Sequence, residues 1–330
     1  MGLADYDYEL ADAAIAQRPA EPRDSARLLV AGDPPEHRTV RDLPELLRVG
    51  DLLVVNETRV LPARLRTHKE TGGAVEVLLL EPSPADPACW EALVRPGRRV
   101  SEGMVLLIDG RPALVVGPDA GDDGRRLVRL EADIDLDDVG EVPLPPYIHE
   151  QLSDPERYQT VYARTPGSVA APTAGLHLTH EVLRRCRDRG VSIATVDLVV
   201  GLGTFKPIAV DDLTDHRMHE ERYDVPERTM AACVAAERVV AVGTTTVRAL
   251  ESAARGALTG RTELFITPGF DFQVVDVLMT NFHVPRSSLL VLLAAFCGPR
   301  WRDLYRTALD SGYRFLSFGD AMLVERDPQR

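Results

Sequence analysis

The chain has 330 residues, 45% of them hydrophobic, enough for one large or two modest domains with a full core. Acidic residues outnumber basic ones by 51 to 38, giving a formal charge of −13, which argues against a broadly basic nucleic-acid binder but allows local basic patches. The four cysteines stand far apart with no C-x-x-C, so neither a zinc knuckle nor a disulfide framework is indicated, and no apolar run is long enough to span a bilayer. The start, Met1-Gly2-Leu3-Ala4-Asp5, lacks an apolar signal core, and a reducing cytoplasm is the expected compartment.

Leu10 to Ala16 reads as a helix and Asp51 to Asn56 as a buried strand. After Arg64 the pattern changes. Val75 to Leu80, Trp90 to Val94 and Met104 to Ile108 are short strand-like runs punctuated by Gly72-Gly73, Pro82-Ser83-Pro84, Pro96-Gly97 and Asp109-Gly110. This middle segment predicts a small all-β module that ends in an acidic stretch and Val142-Pro143-Leu144-Pro145-Pro146-Tyr147. Two basic clusters fall here, Arg64/Arg66/Lys69 and Arg95/Arg98/Arg99; a solvated charged face is the plain reading of both.

The α/β rhythm then returns. Thr179 caps a helix to Arg189 with Gly190 as its stop, and Val191 to Val200 is a strand. A helix near Arg228 to Ala236 precedes the strand Arg238 to Val242, and another helix runs through Glu251. Val274 to Met279 is a strand, Pro285 and Ser287 open a helix ending near Gly298, Arg302 to Leu309 is the last helix, and Tyr313 to Phe318 is the closing strand. The expected fold class is α/β. The large domain takes residues 1–65 and 148–330, and the inserted β domain residues 66–147.

Reactive and small residues gather at the strand ends, where α/β sites assemble. Gly243-Thr244-Thr245-Thr246 sits at a strand-to-helix turn, where free N–H groups and a partial positive charge suit a carboxylate or phosphate. Arg248 could clamp the same anion; a capped helix with a surface Arg is the plainer alternative. The block lacks a P-loop lysine. Gly201-Leu202-Gly203-Thr204-Phe205 is not a dinucleotide fingerprint, though Phe205 could stack on a purine. His216, His219 and Glu221 admit a metal, an acid–base role or structural hydrogen bonding; no complete ligand set is present, and no metal is expected. Asn281, His283 and Asp320 stand at further strand ends.

Together these blocks resemble the S-adenosylmethionine:tRNA ribosyltransferase-isomerase family of queuosine biosynthesis. The resemblance starts at Tyr8-Glu9-Leu10 and runs through the stretch from Gly50 to Leu65, Pro143-Leu144-Pro145-Pro146-Tyr147-Ile148 and Tyr158-Gln159-Thr160-Val161-Tyr162-Ala163. It continues through Ala170 to His177, His216 to Glu221, Val242 to Arg248, Thr280 to Pro285 and Phe318 to Leu323. It implies a large α/β domain around a distorted barrel with a small β-barrel insertion. It further implies that S-adenosylmethionine is a cosubstrate rather than a resident cofactor. The ribosyl group would pass to an aminomethyl-deazaguanine in the anticodon arm of tRNA, leaving epoxyqueuosine. The chemistry needs a base for the proton beside the sulfonium and a donor for departing adenine.

On this reading His177, His219, Glu221 and Asp320 are the candidate acids and bases, with the first base sought among His219, Glu221 and Asp320. Gly201, Gly203, Thr204, Phe205, Gly243, Thr244, Thr245 and Arg248 would bind the cosubstrate. Asn56, Thr58, Arg59, Arg64, Asn281 and His283 would meet the acceptor or RNA. The chain departs from the family at Val199, where a histidine is usual, and valine cannot carry a proton. That change opens two alternatives: a relative acting on a small-molecule acceptor, and a non-catalytic RNA- or ligand-binding relative. A monomer is compatible with the sequence.

Overall fold

All six residues of the strand Asp51–Asn56 are buried. Only a strand covered on both faces permits that, and Leu-Leu-Val-Val supplies the branched side chains that pack there. In the computed structural model, which describes residues 2–120, 124–201, 208 and 210–327, this strand lies inside a nine-stranded sheet. Its order is Thr259–Thr262, Glu221–Asp224, Ser192–Leu198, Asp51–Asn56, Arg238–Val242, Val277–Asn281, Ala321–Glu325, Arg27–Val30, Glu36–Thr39.

The pairing pattern gathers the site. Ser192–Leu198, Asp51–Asn56, Arg238–Val242 and Val277–Asn281 run parallel to one another, so all four end at one edge of the sheet. Ala321–Glu325 runs antiparallel to the fourth, with Ala321 opposite Asn281, so its beginning lies at that edge. Asn56, Leu198, Val242, Asn281 and Asp320 are thus brought together by register alone. In parallel sheets this carboxyl edge is where ligands bind.

Two compact units are present. The first comprises Met1–Arg59, Pro145–Thr165 and Ala171–Arg330 and holds the nine-stranded sheet; the second comprises Val60–Leu144 and Pro166–Ala170. The second is built on a closed barrel of six strands in the order Arg125–Leu130, Asp86–Arg95, Ala74–Ser83, Arg64–Lys69, Val105–Ile108, Arg111–Asp119. Every pairing in it is antiparallel. Closure satisfies the edges that so short a β module would otherwise expose. The mixed α/β class with a small closed barrel is the class expected from sequence.

The helices Thr244–Ala253 and Ser288–Cys297 follow the third and fourth parallel strands. Thr179 does cap His180–Asp188, its hydroxyl accepting from the Val182 N–H at 3.1 Å. Two expected elements are not as read. Leu10 to Ala16 contributes only the short 3-10 turn Asp12–Ala14, because Ala16 N–H donates to Phe315 O and Ile15 bridges Phe315 instead of continuing a helix. Tyr313 to Phe318 is no strand. There the chain doubles back so tightly that a Cβ at Gly319 would meet Arg314 O at 2.4 Å, and the strand begins only at Ala321.

Candidate functional site

The carboxyl edge encloses a cavity of about 60 Å³. Two helix N-termini open onto it, one through Gly243, Thr244 and Thr245 and the other through Ser287 and Leu289. Gly243 has φ 88°, which a side chain would strain, and its N–H is tied to Met279 O at 2.8 Å. The chain can therefore turn sharply from strand into helix and leave the first helical N–H groups facing the space. Of the three threonines, Thr246 spends its hydroxyl on Val242 O at 2.7 Å. Thr245 accepts from Asn56 Nδ2 at 3.5 Å. Thr244 has no hydrogen-bond partner among the described residues and is free for a ligand. At the second helix Ser287 accepts from Leu290 N–H at 3.3 Å and donates to Val284 O at 2.7 Å.

The facing wall carries Thr173, Thr280, Asn281 and His283. The Asn281 amide is oriented by its neighbours. Its oxygen accepts from the Thr173 hydroxyl at 3.0 Å, and its nitrogen faces Leu316 O and Asp320 O at 3.3 and 3.4 Å. That nitrogen also donates to His177 Nε2 at 3.0 Å, which puts the His177 proton on Nδ1. His177 is buried, and desolvation brings it down to about 4, against the opposing pull of Asp320. His283 is likewise held neutral, brought down to about 3 by desolvation. Its Nε2 meets Thr280 Oγ1 at 3.0 Å, its N–H donates to the Tyr305 hydroxyl at 2.8 Å and its carbonyl accepts from Tyr8. The other ring nitrogen, Nδ1, has no partner among the described residues. Tyr147 and Ser317 complete the wall, their hydroxyls 2.7 Å apart, and burial pushes the Tyr147 phenol up to about 12.

No Asp, Glu, Lys or Arg lines this cavity among the described residues. The charged candidates are engaged elsewhere. Glu221 and Arg248 form a buried ion pair. Glu221 also accepts from Gly201 N–H at 3.1 Å, and Arg248 donates to Leu264 O at 3.0 Å and Thr262 O at 3.4 Å. Desolvation lowers Arg248 to about 10. Asp320 accepts from the N–H groups of Arg27 and Arg314 at 2.9 and 2.8 Å and pairs with both guanidinium groups. These three side chains bolt loops to the sheet edge.

The remaining candidates scatter. His219 is exposed, and beside it His216 stacks edge-on against Phe265 with its pKa lowered, chiefly by desolvation. Asn56 binds both the N–H and O of Leu198, at 3.1 and 3.0 Å, and so ties two strand ends beneath Thr245. Thr58 is buried, Arg59 pairs with Glu156 at 2.6 Å, and Arg64 lies in the barrel unit 3.8 Å from Glu76. Gly203, Thr204 and Phe205 lie outside the described residues. Val199 is nearly buried and bonded to Arg222 O, and its neighbour Val200 lines the cavity. Among the described residues no group of three His, Cys, Asp or Glu gathers as metal ligands would.

The sequence reading missed Thr173, Tyr147, Ser287 and Ser317 as lining residues. Ser287 had a signal, since its place after Pro285 marks a helix start. Tyr147 and Ser317 had none, because a sequence separation of 170 residues hides their pairing.

The whole chain has relatives. Residues 3–324 match the family described as Queuosine biosynthesis protein. The chain is 51% identical over 334 residues to the S-adenosylmethionine:tRNA ribosyltransferase-isomerase of Gloeobacter violaceus, covering 97% of this chain and 94% of that one. Against the protein of the same name from Thermus thermophilus it is 51% identical over 348 residues, covering 98% and 99%. The crystal structure of S-adenosylmethionine tRNA ribosyltransferase from Thermotoga maritima superposes with a TM-score of 0.55 at 38% identity, covering 97% of this chain and 99% of that one.

Proposed function

The chain belongs to the queuosine biosynthesis protein family of S-adenosylmethionine:tRNA ribosyltransferase-isomerases, and on that premise we propose its reaction and the part its cavity plays. The ribosyl group of S-adenosylmethionine passes to the 7-aminomethyl-7-deazaguanine at the tRNA wobble position and rearranges. Epoxyqueuosine-tRNA forms, and adenine and methionine leave.

The observation that carries the assignment is a small cavity with two helix N-termini and no charged side chain among its described lining residues. Such a place attracts an anion without neutralising it permanently. The carboxylate of the methionine moiety fits it, with the Thr244 hydroxyl as a further donor. Asn281, its amide fixed by Thr173 and His177, keeps a lone pair on its oxygen as a rigid acceptor for a sugar hydroxyl. His283 is the histidine on this wall with a free ring nitrogen, and we assign the proton beside the sulfonium to it. An anion bound close by raises its basicity above that of the empty site. This moves the first base away from His219, Glu221 and Asp320.

Chromatography of adenine from reactions with and without tRNA bearing the deazaguanine base tests the proposal. Adenine is expected only when cosubstrate and tRNA are both present. Its absence from the complete reaction would overturn the reading. Its release without RNA would favour a small-molecule acceptor.

A further inference from the structure

The small barrel treats its arginines in two ways. Arg66, Arg125, Arg126 and Arg129 are bridged to Glu141, Glu91, Asp119 and Asp86 at 2.6–3.2 Å, and Arg64 stands 3.8 Å from Glu76. Arg95, Arg98 and Arg99 are exposed and have no carboxylate partner among the described residues. They share one short turn, Arg95 closing the strand Asp86–Arg95 and the other two lying in the 3-10 turn Gly97–Arg99. Lys69 joins them, its ammonium donating to the Arg99 carbonyl. Glu76 lies opposite Arg95 in the ladder, but its carboxylate faces Arg64.

Three cations on one turn and a fourth on a neighbouring strand, none with a carboxylate partner among the described residues, are unexpected in a chain of net charge −13. Solvated arginines gain little from crowding, since like charges repel. An anionic partner reverses that sign. Guanidinium groups fit phosphate oxygens two at a time, and three on one turn with a lysine beside them offer more charge than one small anion needs. The barrel strands fix the turn from both sides, so little order is lost on binding.

We infer that the turn Arg95–Arg99, with Lys69, is a docking surface for the phosphate backbone of the tRNA substrate. The inference rests on the proposed tRNA activity and adds to it a place where the RNA is gripped. Bonds to phosphate position a nucleic acid without reading its sequence. The turn therefore contributes affinity and salt dependence and takes no part in the choice of base.

The test uses the full chain carrying Arg95→Ala, Arg98→Ala and Arg99→Ala together, with substrate tRNA titrated over a range of salt concentrations. Each phosphate deprived of its guanidinium should weaken binding roughly tenfold near 0.1 M salt and flatten the plot of log affinity against log salt by about 0.7–0.9. Affinity for S-adenosylmethionine and the unfolding temperature should stay at wild-type values. The triple lysine variant should retain most of the tRNA affinity, because it keeps the charge. If wild type binds tRNA and the triple alanine variant binds it with the same affinity and slope, the turn is a solvated face and the inference fails while the proposed function stands. If wild type itself binds no tRNA, the proposed function and the inference both fall.

Discussion

At the carboxyl edge of the large sheet, the cavity wall and the charged residues behind it obey opposite rules. The wall is neutral: Thr173, Thr244, Thr280, Asn281 and a deprotonated His283 face the space. Behind it Glu221, Arg248 and Asp320 are ionisable residues whose ion-pair partners lie within the protein. Charges buried here act as fasteners, because a buried ion is tolerated only when paired. Neutral dipoles and helix ends act as the receptor, because they attract a ligand without demanding a permanent counter-ion. Residue type alone points the other way, since Arg and Glu are the first candidates for clamps and bases.

Removing one half of a fastener is the strongest way to break this contrast. Arg248→Ala leaves Glu221 buried without its cation, which should cost about 3–5 kcal/mol of stability. A lower unfolding temperature, with cosubstrate affinity preserved in the folded fraction, is the expected result. Glu221→Gln combined with Arg248→Met should recover much of the loss, since Gln can still accept from Gly201 N–H. Weakened cosubstrate binding at full stability would return Arg248 to the role of clamp.

Acid attacks the neutral side of the contrast. His177 has its folded-state pKa lowered from 6.5 to about 4, so the unfolded chain takes up the proton first. The stabilisation conferred by its neutral form is intact above pH 6.5 and is lost as pH falls toward 4. His283 follows the same sign, down to about 3. Each contributes a slope of about 1.4 kcal/mol per pH unit inside its window. Denaturant melts of wild type and His177→Gln between about pH 7 and pH 4 should diverge, the variant falling less steeply. Parallel curves would mean that folding does not lower the pKa of His177.

Much of the fold was legible. Arg238–Val242 coincides with its expected strand, and the Thr179 cap is as read, because both depend on local pattern and local hydrogen bonds. Tyr313 to Phe318 looked like a strand because its apolar residues recur, yet they fill the core from a doubled-back loop held by Asp320. The site was half legible. Register brings Gly243, Asn281 and His283 together, and the motif order suggested their convergence. That Arg248 meets Glu221, 27 residues earlier in the chain, is a tertiary fact with no local trace.

Val199 tests how far the cavity's influence extends. It stands where the family resemblance leads one to expect histidine, yet it is 9% exposed and its neighbour Val200 faces the space. Val199→His therefore places a larger ring in packed surroundings, with an expected loss of about 1–3 kcal/mol and little change in rate. Calorimetric melting and adenine release measured on one preparation check both parts. A strongly altered rate in a stable variant would place residue 199 in the chemistry.

The smallest expected effect separates the two kinds of threonine at the helix start. Thr244 and Thr246 are both buried β-branched residues in the first turn, so valine at either position changes helix propensity and volume little. Their hydroxyls differ. That of Thr246 is spent on Val242 O inside the helix, whereas that of Thr244 has no partner among the described residues and faces the cavity. Thr244→Val should therefore weaken S-adenosylmethionine binding by about 0.5–1.5 kcal/mol, the net worth of one hydrogen bond, with stability unchanged. Thr246→Val should leave binding alone and lower stability by a similar amount. Titration calorimetry and thermal melting of the pair give a crossed pattern if the helix end is the receptor. Equal binding by both variants would leave the N–H groups as the only ligands there and would remove Thr244 from the site.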